Sequence, residues 1–421
     1  MMTTKTYDVI IVGAGVAGLA AAAQLRENGV ENIVILEAQD YIGGRVKTTY
    51  DWGAPIALGA EFIHGDKTIT ADIARQLSLS TIDGSGEPRL INANGTDLNK
   101  TQQEAYHLLL DFVSKSGKAG VSIAQLIEDN PYTQDAVVKQ LVAYSIGDYE
   151  ASDAHLLDSG AFSEMIAGSE HNGKNIVLEG SYPPIIDYLA SGIEIRTQTV
   201  VKRIDQSGAP ALVELSDGTQ LLANHVIVTV SLGVLKHKSI VFIPELSGEK
   251  IESIERLGMG NVMKLLLQFD SSFDISSLFG IADGENETLQ TITCWWKSAN
   301  SPNVLVGYCG GTRADRALAL KEDELLGKVL DDLGTIAGKD ITAHVIDHKI
   351  ARWDNNEFTL GAYTNHPLGS TSHDNAELAR PSGNIFWAGE ATDALGNYAT
   401  VHGAIASGRR AVNEILSAIK Q

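Results

Sequence analysis

An α/β fold of two interleaved domains is what this sequence predicts, and three observations carry the prediction. Residues 1–45 read as strand, glycine-rich turn, helix, strand. Apolar strands of the kind buried in a parallel sheet return near 226–230 and again near 385–388. Between these lie a helical stretch and a second group of strands. A Rossmann-like sheet assembled from distant segments, interleaved with a mixed-sheet α+β domain, accommodates all three. The expected division is 1–80, 176–252 and 375–421 for the first domain, and 81–175 and 253–374 for the second. A chain of 421 residues is long enough for two cores.

The elements follow in order. Asp8–Val12 reads as a buried strand, Val16–Asn28 as an Ala-rich helix ended by Gly29, and Ile33–Leu36 as the second strand. Residues 98–145 are mostly helical, with apolar positions at Leu108, Leu109, Phe112, Val113, Leu141 and Val142. Ile193–Arg196 and Val200–Ile204 are short strands. Ala211–Leu215 and Thr219–Leu222 flank Ser216-Asp217-Gly218, a hairpin signal. Val226–Val230 is a separate, continuously apolar strand. The second group of strands is Val262–Phe269, Leu289–Trp296, Val304–Tyr308 and Ile341–Ile346, with a helix near Glu322–Leu333. Strand Ile385–Ala388 and helix Val401–Ile419 close the chain.

Composition narrows the function. The chain has 53 acidic and 32 basic residues, a net charge of −21, which disfavours nucleic acid and anionic membranes and suits a cationic ligand. Cys294 and Cys309 lie in predicted strands without metal-ligand spacing, so neither a disulfide framework nor a metal site is expected. No apolar run approaches the roughly 18 residues of a membrane span. The N-terminus runs directly into the strand Tyr7–Val12 without a leader pattern, so a cytoplasmic location is expected.

The glycine-rich turn is Gly13-x-Gly15-x-x-Gly18. Gly13 permits the tight turn, Gly15 lets backbone approach a pyrophosphate, and Gly18 lets helix pack on strand. The helix N-terminus offers free N–H groups to phosphate. Glu37 ends the second strand, where a carboxylate can accept from both ribose hydroxyls and repel a 2′-phosphate. Gly43-Gly44-Arg45 follows, and Arg45 can reach the pyrophosphate from the other side. No second G-x-G-x-x-G for a nicotinamide is present.

This pairing resembles the flavoprotein family of monoamine and polyamine oxidases, and four further segments extend the resemblance over nearly the whole chain. Leu58–Gly65 is similar to the family's flavin-facing loop. Val226–Val230 with Ser231–Lys236 is similar to its central strand and exit. Gly260–Lys264 is similar to the strand carrying its active-site lysine. Ala388–Thr392 with Tyr398–Ala404 is similar to its C-terminal flavin motif. The closest motifs are those of polyamine oxidases.

The resemblance implies a noncovalent FAD. Its contacts are expected from Gly13, Gly15, Ala17, Gly18, Glu37 and Ala38, from Gly44, Arg45, Ala60 and Glu61, from Val201, and from Gly389, Glu390, Thr400 and Val401. Small residues early in the last helix (Gly403, Ala404, Ala406, Ser407, Gly408) are expected to let backbone approach the flat ring. The positive end of that helix would then stabilise charge on the reduced ring by about 0.3–1 kcal/mol. Lys264 is expected to hold a water against the flavin, His64 to stand beside the substrate amine, and Tyr363 to form one wall of an aromatic cage. These three are the expected catalytic residues. Phe62, Trp353, Thr400, Glu150 and Asp153 are the expected substrate contacts; Asp148 and Asp158 belong to the same acidic cluster.

Two departures from the family refine the expectation. Ala362 stands where covalent monoamine oxidases carry a flavin-linked cysteine, and Phe62 where L-amino acid oxidases carry a carboxylate-binding arginine, a role Arg89 or Arg352 would have to take. The expected function is oxidation of an amine, preferably a polyamine such as spermine or spermidine. Hydride transfer to the flavin gives an imine that hydrolyses to an aldehyde and an amine. Reoxidation is by O2, giving H2O2, or by another acceptor. The alternatives are an L-amino acid or aromatic monoamine oxidase and, more remotely, a flavin-bearing interaction protein. A monomer or homodimer is expected.

Overall fold

The computed structural model describes residues 5–86, 89–92, 95–171, 173–275, 280–282 and 292–419. Its first sheet has eight strands. At the centre, Thr6–Val12 runs parallel to Ile33–Leu36 on one side and to Gln220–Val228 on the other. Ile195–Arg196 extends the sheet beyond Ile33–Leu36, and Ile385–Trp387 pairs with the end of Gln220–Val228, both parallel. The apolar runs are buried on both faces, as a parallel sheet requires: Ile10, Ile11, Val34, Ile35, Val226 and Ile227 are all inaccessible to solvent.

One element differs from expectation here. Thr219–Leu222 and Val226–Val230 are not two strands but one, Gln220–Val228. The intervening Ala223 and His225 stay paired with Tyr7 and Val9, so no break opens in the ladder. The strand's first half pairs antiparallel with Ala211–Leu215, and its last three residues exchange that neighbour for Ile385–Trp387.

The second sheet has six strands in the order Val345–Arg352, Val262–Phe269, Val304–Gly310, Cys294–Lys297, Gly280–Ala282 and Leu90–Ile91. All neighbours are antiparallel except the last pair. Part of the expected strand Leu289–Trp296 lies outside the described residues; the described part begins at Cys294. The strand expected at Ile341–Ile346 begins instead at Val345. Thr342–His344 form a 3-10 turn, because Asp340 Oδ1 accepts from Thr342 N at 2.8 Å and turns the chain first.

Alternation along Val262–Phe269 places the site. Met263, Leu265, Leu267 and Phe269 pack with Leu325, Val329 and Leu333 of the helix Glu322–Ala337. Leu266 faces the other way, onto Ile56, Val304 and Val306. Lys264 shares that second face, because residues two apart in a strand point the same way.

A helical layer covers one end: Lys100–Lys115, Ile123–Glu128, Ala136–Tyr149 and Ser159–Gly168, closed over Leu109, Val113, Leu141 and Phe162. A small sheet of Phe62–His64, Asn175–Leu178 and Thr81–Asp83 closes another side. Among the described residues no helix is long and apolar enough to cross a membrane.

The last helix, Val401–Ile419, packs on the first, Val16–Glu27. A Cβ at Gly408 would stand 2.3 Å from Ala17 O. Gly408→Val should therefore lower stability by about 1–3 kcal/mol through overpacking, read as a drop in the thermal midpoint; an unchanged midpoint would contradict this packing.

Candidate active site

The parallel strands end at one edge of the first sheet, at Val12, Leu36, Arg196, Val228 and Trp387. Chain reversals at that edge leave a crevice, the usual ligand position in such sheets. A cavity of about 840 Å³ starts there and runs to the second sheet. It is lined by Gly13, Gly15, Ala17, Glu37, Ala38, Gly44, Arg45, Ala60, Glu61, Val201, Gly389, Glu390, Thr400 and Val401. Of the residues expected around the cofactor, Gly18 alone is absent from the wall. Its place is against the first strand, where a Cβ would meet Gly13 O at 2.1 Å, which is the helix–strand packing role.

The dinucleotide end is shaped for a large anionic ligand. No atom stands within 4 Å of where a Cβ at Gly15 would lie, so the backbone there is bare toward the cavity. The helix Val16–Glu27 begins at that point, with no acidic residue in its first turn to oppose an anion. Glu37 is buried, and its carboxylate accepts from Ala14 N at 2.6 Å and Gln39 N at 2.8 Å. Burial pushes its pKa up, and the backbone donors oppose that shift. Each oxygen keeps a lone pair for a ligand hydroxyl.

Arg45 does not hang free. It donates to Glu390 Oε1 at 2.8 Å and Ala362 O at 2.7 Å. Glu390 also accepts from Ala399 N at 2.9 Å and Thr364 Oγ1 at 3.2 Å. One buried carboxylate thus ties the second glycine turn to the C-terminal segment.

The expectation for the last helix needs correction. Of its small residues only Ala404 lines the cavity, beside Val401. Gly408 serves the contact with the first helix, Gly403 packs on Asn397 O, Ser407 accepts from Gly389 N at 2.9 Å, and Ala406 is exposed. Thr400 Oγ1 accepts from Gly403 N at 3.0 Å and so caps the helix.

At the other end of the cavity, Lys264, Tyr308 and Cys294 sit opposite one another across three neighbouring strands. All three line the cavity, and so does Trp296, two residues beyond Cys294. Lys264 Nζ, buried, donates to Glu61 Oε2 at 2.7 Å, Ala57 O at 2.8 Å and Gly59 O at 3.4 Å. Its three N–H groups are all engaged. The long bond to Gly59 O is the weakest, and is the one a solvent or ligand atom would replace. Glu61 also accepts from Trp296 Nε1 at 3.4 Å, so its carboxylate serves the lysine.

Tyr363 lies in the wall as expected. Its hydroxyl points at Asp148 O and Tyr149 O, each at 3.1 Å, and lies 2.5 Å from the hydroxyl of Tyr308. A phenol has one hydrogen. Tyr363 gives its own to the carbonyls, so Tyr308 is the donor to Tyr363. The ring of Tyr308 stands 6.0 Å from Trp296, and Trp296 5.9 Å from Phe62. With Tyr363 these rings form an aromatic band along the cavity wall. Sequence reasoning passed over Tyr308 and Trp296; strand register, which leaves no mark in the local sequence, brings both to this wall.

His64, Phe62 and Trp353 also line the cavity. His64 Nδ1 lies 2.7 Å from Asn175 Oδ1. Burial pushes the imidazole down to about 4, against the hydrogen bond to Asn175. The ring is therefore neutral, with Nδ1–H donated to Asn175 and Nε2 left as an acceptor. Glu150 faces the cavity too, and burial pushes its carboxyl up to about 7 although Tyr398 Oη donates to it at 3.0 Å.

The remaining acidic positions separate. Asp153 is not in the wall; it accepts from Thr312 N at 3.2 Å and Oγ1 at 2.7 Å at the start of the helix Gly311–Leu318. Asp158 caps Ser159–Gly168. Asp148 is buried against Arg313. Neither arginine considered for an amino-acid carboxylate reaches the cavity: Arg89 pairs with Asp97 and Arg352 with Asp354. Ala362 lines the wall without a thiol, and burial pushes the Cys294 thiol up to about 12, so it stays protonated. Among the described residues no group of three or more His, Cys, Asp or Glu is placed to hold a metal ion.

A parallel sheet with a bare glycine turn, a buried carboxylate at the end of its second strand and a cavity ending at a buried lysine is the architecture of a dinucleotide-dependent oxidoreductase. Residues 16–416 match the model of the flavin containing amine oxidoreductases, and the chain belongs to that family. It is an amine oxidase with FAD as cofactor. It is 29% identical to polyamine oxidase 4 of Oryza sativa subsp. japonica over 97% of this chain and 88% of that one. Its fold matches wild-type putrescine oxidase bound to putrescine (TM-score 0.82, 22% identity, 99% of this chain and 100% of that chain). It also matches cyclohexylamine oxidase from Brevibacterium oxydans (TM-score 0.81, 21% identity, with the same coverage).

His402 lies in the same buried histidine group, pushed down to about 4 by burial and by His64 and His171. Its folded pKa is below the unfolded value near 6.5. It therefore contributes stability above that value, which is lost as pH falls toward 4. Between pH 7 and 5 the protein should lose about 2 kcal/mol more stability than His402→Gln, measured by urea unfolding at both pH values. Parallel losses would show that His402 is not held neutral.

Proposed function

We propose that the chain oxidises an aliphatic amine bearing a second ammonium group, a diamine or polyamine of the spermidine type. The observation that carries this is Glu150, a buried carboxyl in the cavity wall whose side chain is met, among the described residues, by the hydroxyl of Tyr398. A carboxyl raised to about 7 by burial gains most from an arriving cation, which stabilises its ionised form. Lys264, Tyr308, Tyr363 and Glu150 follow one another along the wall, through strand pairing, the phenol contact and the bond from Tyr363 to Tyr149 O. A chain-like substrate fits that line.

When bound, FAD supplies the two-electron acceptor to which the substrate α-carbon gives a hydride. Gly13, Gly15, Glu37, Arg45, Val201 and Glu390, all in the cavity wall, would hold the cofactor without a covalent bond. The aromatic band of Tyr363, Tyr308, Trp296 and Phe62 excludes water and presents ring faces that favour a cation's approach. His64 Nε2 accepts a hydrogen bond from the amine N–H and so orients the nitrogen; the neutral amine carries the lone pair needed for the imine. Lys264, held by Glu61 and Ala57 O, exchanges its long bond to Gly59 O for a water at the reacting end. The imine hydrolyses to an aldehyde and an amine. The amino-acid reading is disfavoured because Arg45, the arginine in the described wall, is engaged by Glu390.

Two measurements test this. Glu150→Gln should raise KM for diamines and polyamines about tenfold or more, since a hydrogen bond to a charged group contributes about 1.5–3 kcal/mol, and should leave a straight-chain monoamine nearly unaffected. An equal effect on both would refute the anchor. Lys264→Met should retain FAD yet slow at least one half-reaction strongly in anaerobic stopped flow; two unaltered half-reactions would remove Lys264 from the mechanism.

A further inference from the structure

The end of the helix Ala136–Tyr149 carries a second structure beside the cavity. Asp148 Oδ1 accepts from Gly310 N at 2.7 Å and from Arg313 Nη2 at 2.5 Å. Its Oδ2 accepts from Thr293 Oγ1 at 3.1 Å, and Thr293 Oγ1 in turn accepts from Arg313 Nη1 at 2.5 Å. Arg313 also donates to Tyr144 O at 3.3 Å and stacks on the Tyr144 ring, 4.0 Å from its centre. Both members of the ion pair are buried. Three chain segments therefore meet at one carboxylate.

We infer that the Asp148–Arg313 pair is a positioning device that sets the spacing between the Glu150 carboxyl and Lys264, and so selects amines by the length of chain between their nitrogens. This rests on the reading of Glu150 given above. The geometry forms a ruler. Gly310, which donates to Asp148, is the strand partner of Val262, and Tyr308 is the partner of Lys264. The end of the helix is thus bolted to the same strand that stands opposite the lysine, two residues along. Immediately after the bolt, Asp148 O and Tyr149 O hold the Tyr363 hydroxyl, and Glu150 follows.

Further back the helix has polar contacts at Ser145, Lys139 and its cap Asp135, and the rest of its hold is an apolar cluster that includes Leu109, Val113, Leu126 and Phe162. Apolar contact is non-directional and does not specify where a helix stops along its axis. A guanidinium whose two ends reach Asp148 and Thr293 does. A buried pair of this kind adds little stability over an apolar replacement, so position is what it contributes.

The test uses the flavin-loaded protein and kcat/KM for straight-chain α,ω-diamines of increasing length, with a straight-chain monoamine as control. Arg313→Lys keeps the charge and removes the fork. It should reduce the preference for the best diamine over its neighbours in length about tenfold, through KM, because a misplaced contact group blurs the fit. The monoamine should change less than about threefold, as it does not use the spacing. An unchanged length profile, or equal losses on monoamine and diamines, would overturn the inference. Should Arg313→Lys fail to accumulate as folded flavoprotein, Thr293→Val carries the same test. It should flatten the profile and Thr293→Ser should restore it; a Thr293→Val enzyme with the parent profile overturns the inference as well. Glu150→Gln separates the two readings. If diamine preference over monoamine survives Glu150→Gln, the anchor reading has failed. If it is lost there while Arg313→Lys keeps the parent length profile, only the spacer has failed.

Discussion

The common ending of five parallel strands is the constraint on which the rest of this structure depends. Because Val12, Leu36, Arg196, Val228 and Trp387 end at one edge, the turns after them must open around a shared crevice. Each turn then places a different group: the bare backbone at Gly15, the carboxylate of Glu37, the pair Arg45–Glu390. These segments are distant in sequence, so no one of them is sufficient. Glu390 makes the dependence concrete, since its carboxylate receives Arg45 from one turn and Ala399 N from the chain just before the last helix.

The second sheet supplies what the first cannot. Its antiparallel register puts Lys264, Tyr308 and Cys294 side by side on the face away from the apolar helices. A lysine there is tolerable because Glu61 and two carbonyls meet its three protons. The same logic repeats at Asp148, where Arg313, Thr293 and Gly310 satisfy a carboxylate that burial alone would penalise. The cavity wall is thus built from compensated ions, with aromatic rings between them. Glu150 is the contrast: it receives the hydroxyl of Tyr398 while burial raises it to about 7.

Much of this was legible before any coordinates. Gly13, Gly15, Gly18 and Glu37 could be read because each role is local, set by a turn, a helix start or a strand end within a few residues. The last helix, Val401–Ile419, was read to the residue for the same reason. Its small side chains were misassigned, because smallness records a close approach without recording the partner; at Gly408 the partner is Ala17 of the first helix. The strand Gln220–Val228 was divided in two because a change of neighbour halfway along leaves no mark on the strand's own sequence.

The sequence by itself determined the class of fold, the dinucleotide turn and the family resemblance, and it pointed to Lys264, His64 and Tyr363, which the structure places in the cavity wall. These are carried by local pattern and by motifs of contiguous residues. Only the tertiary structure decided which carboxylates remain facing the cavity. Asp148, Glu150, Asp153 and Asp158 look alike within one acidic stretch, yet the first two line the cavity, Asp148 bound to Arg313 and Glu150 to the hydroxyl of Tyr398, while the other two cap helices. The same holds for Tyr308, whose place beside Lys264 is set by strand register. A charge's role depends on its partners and its solvent, and both are brought to it by segments far away in the chain.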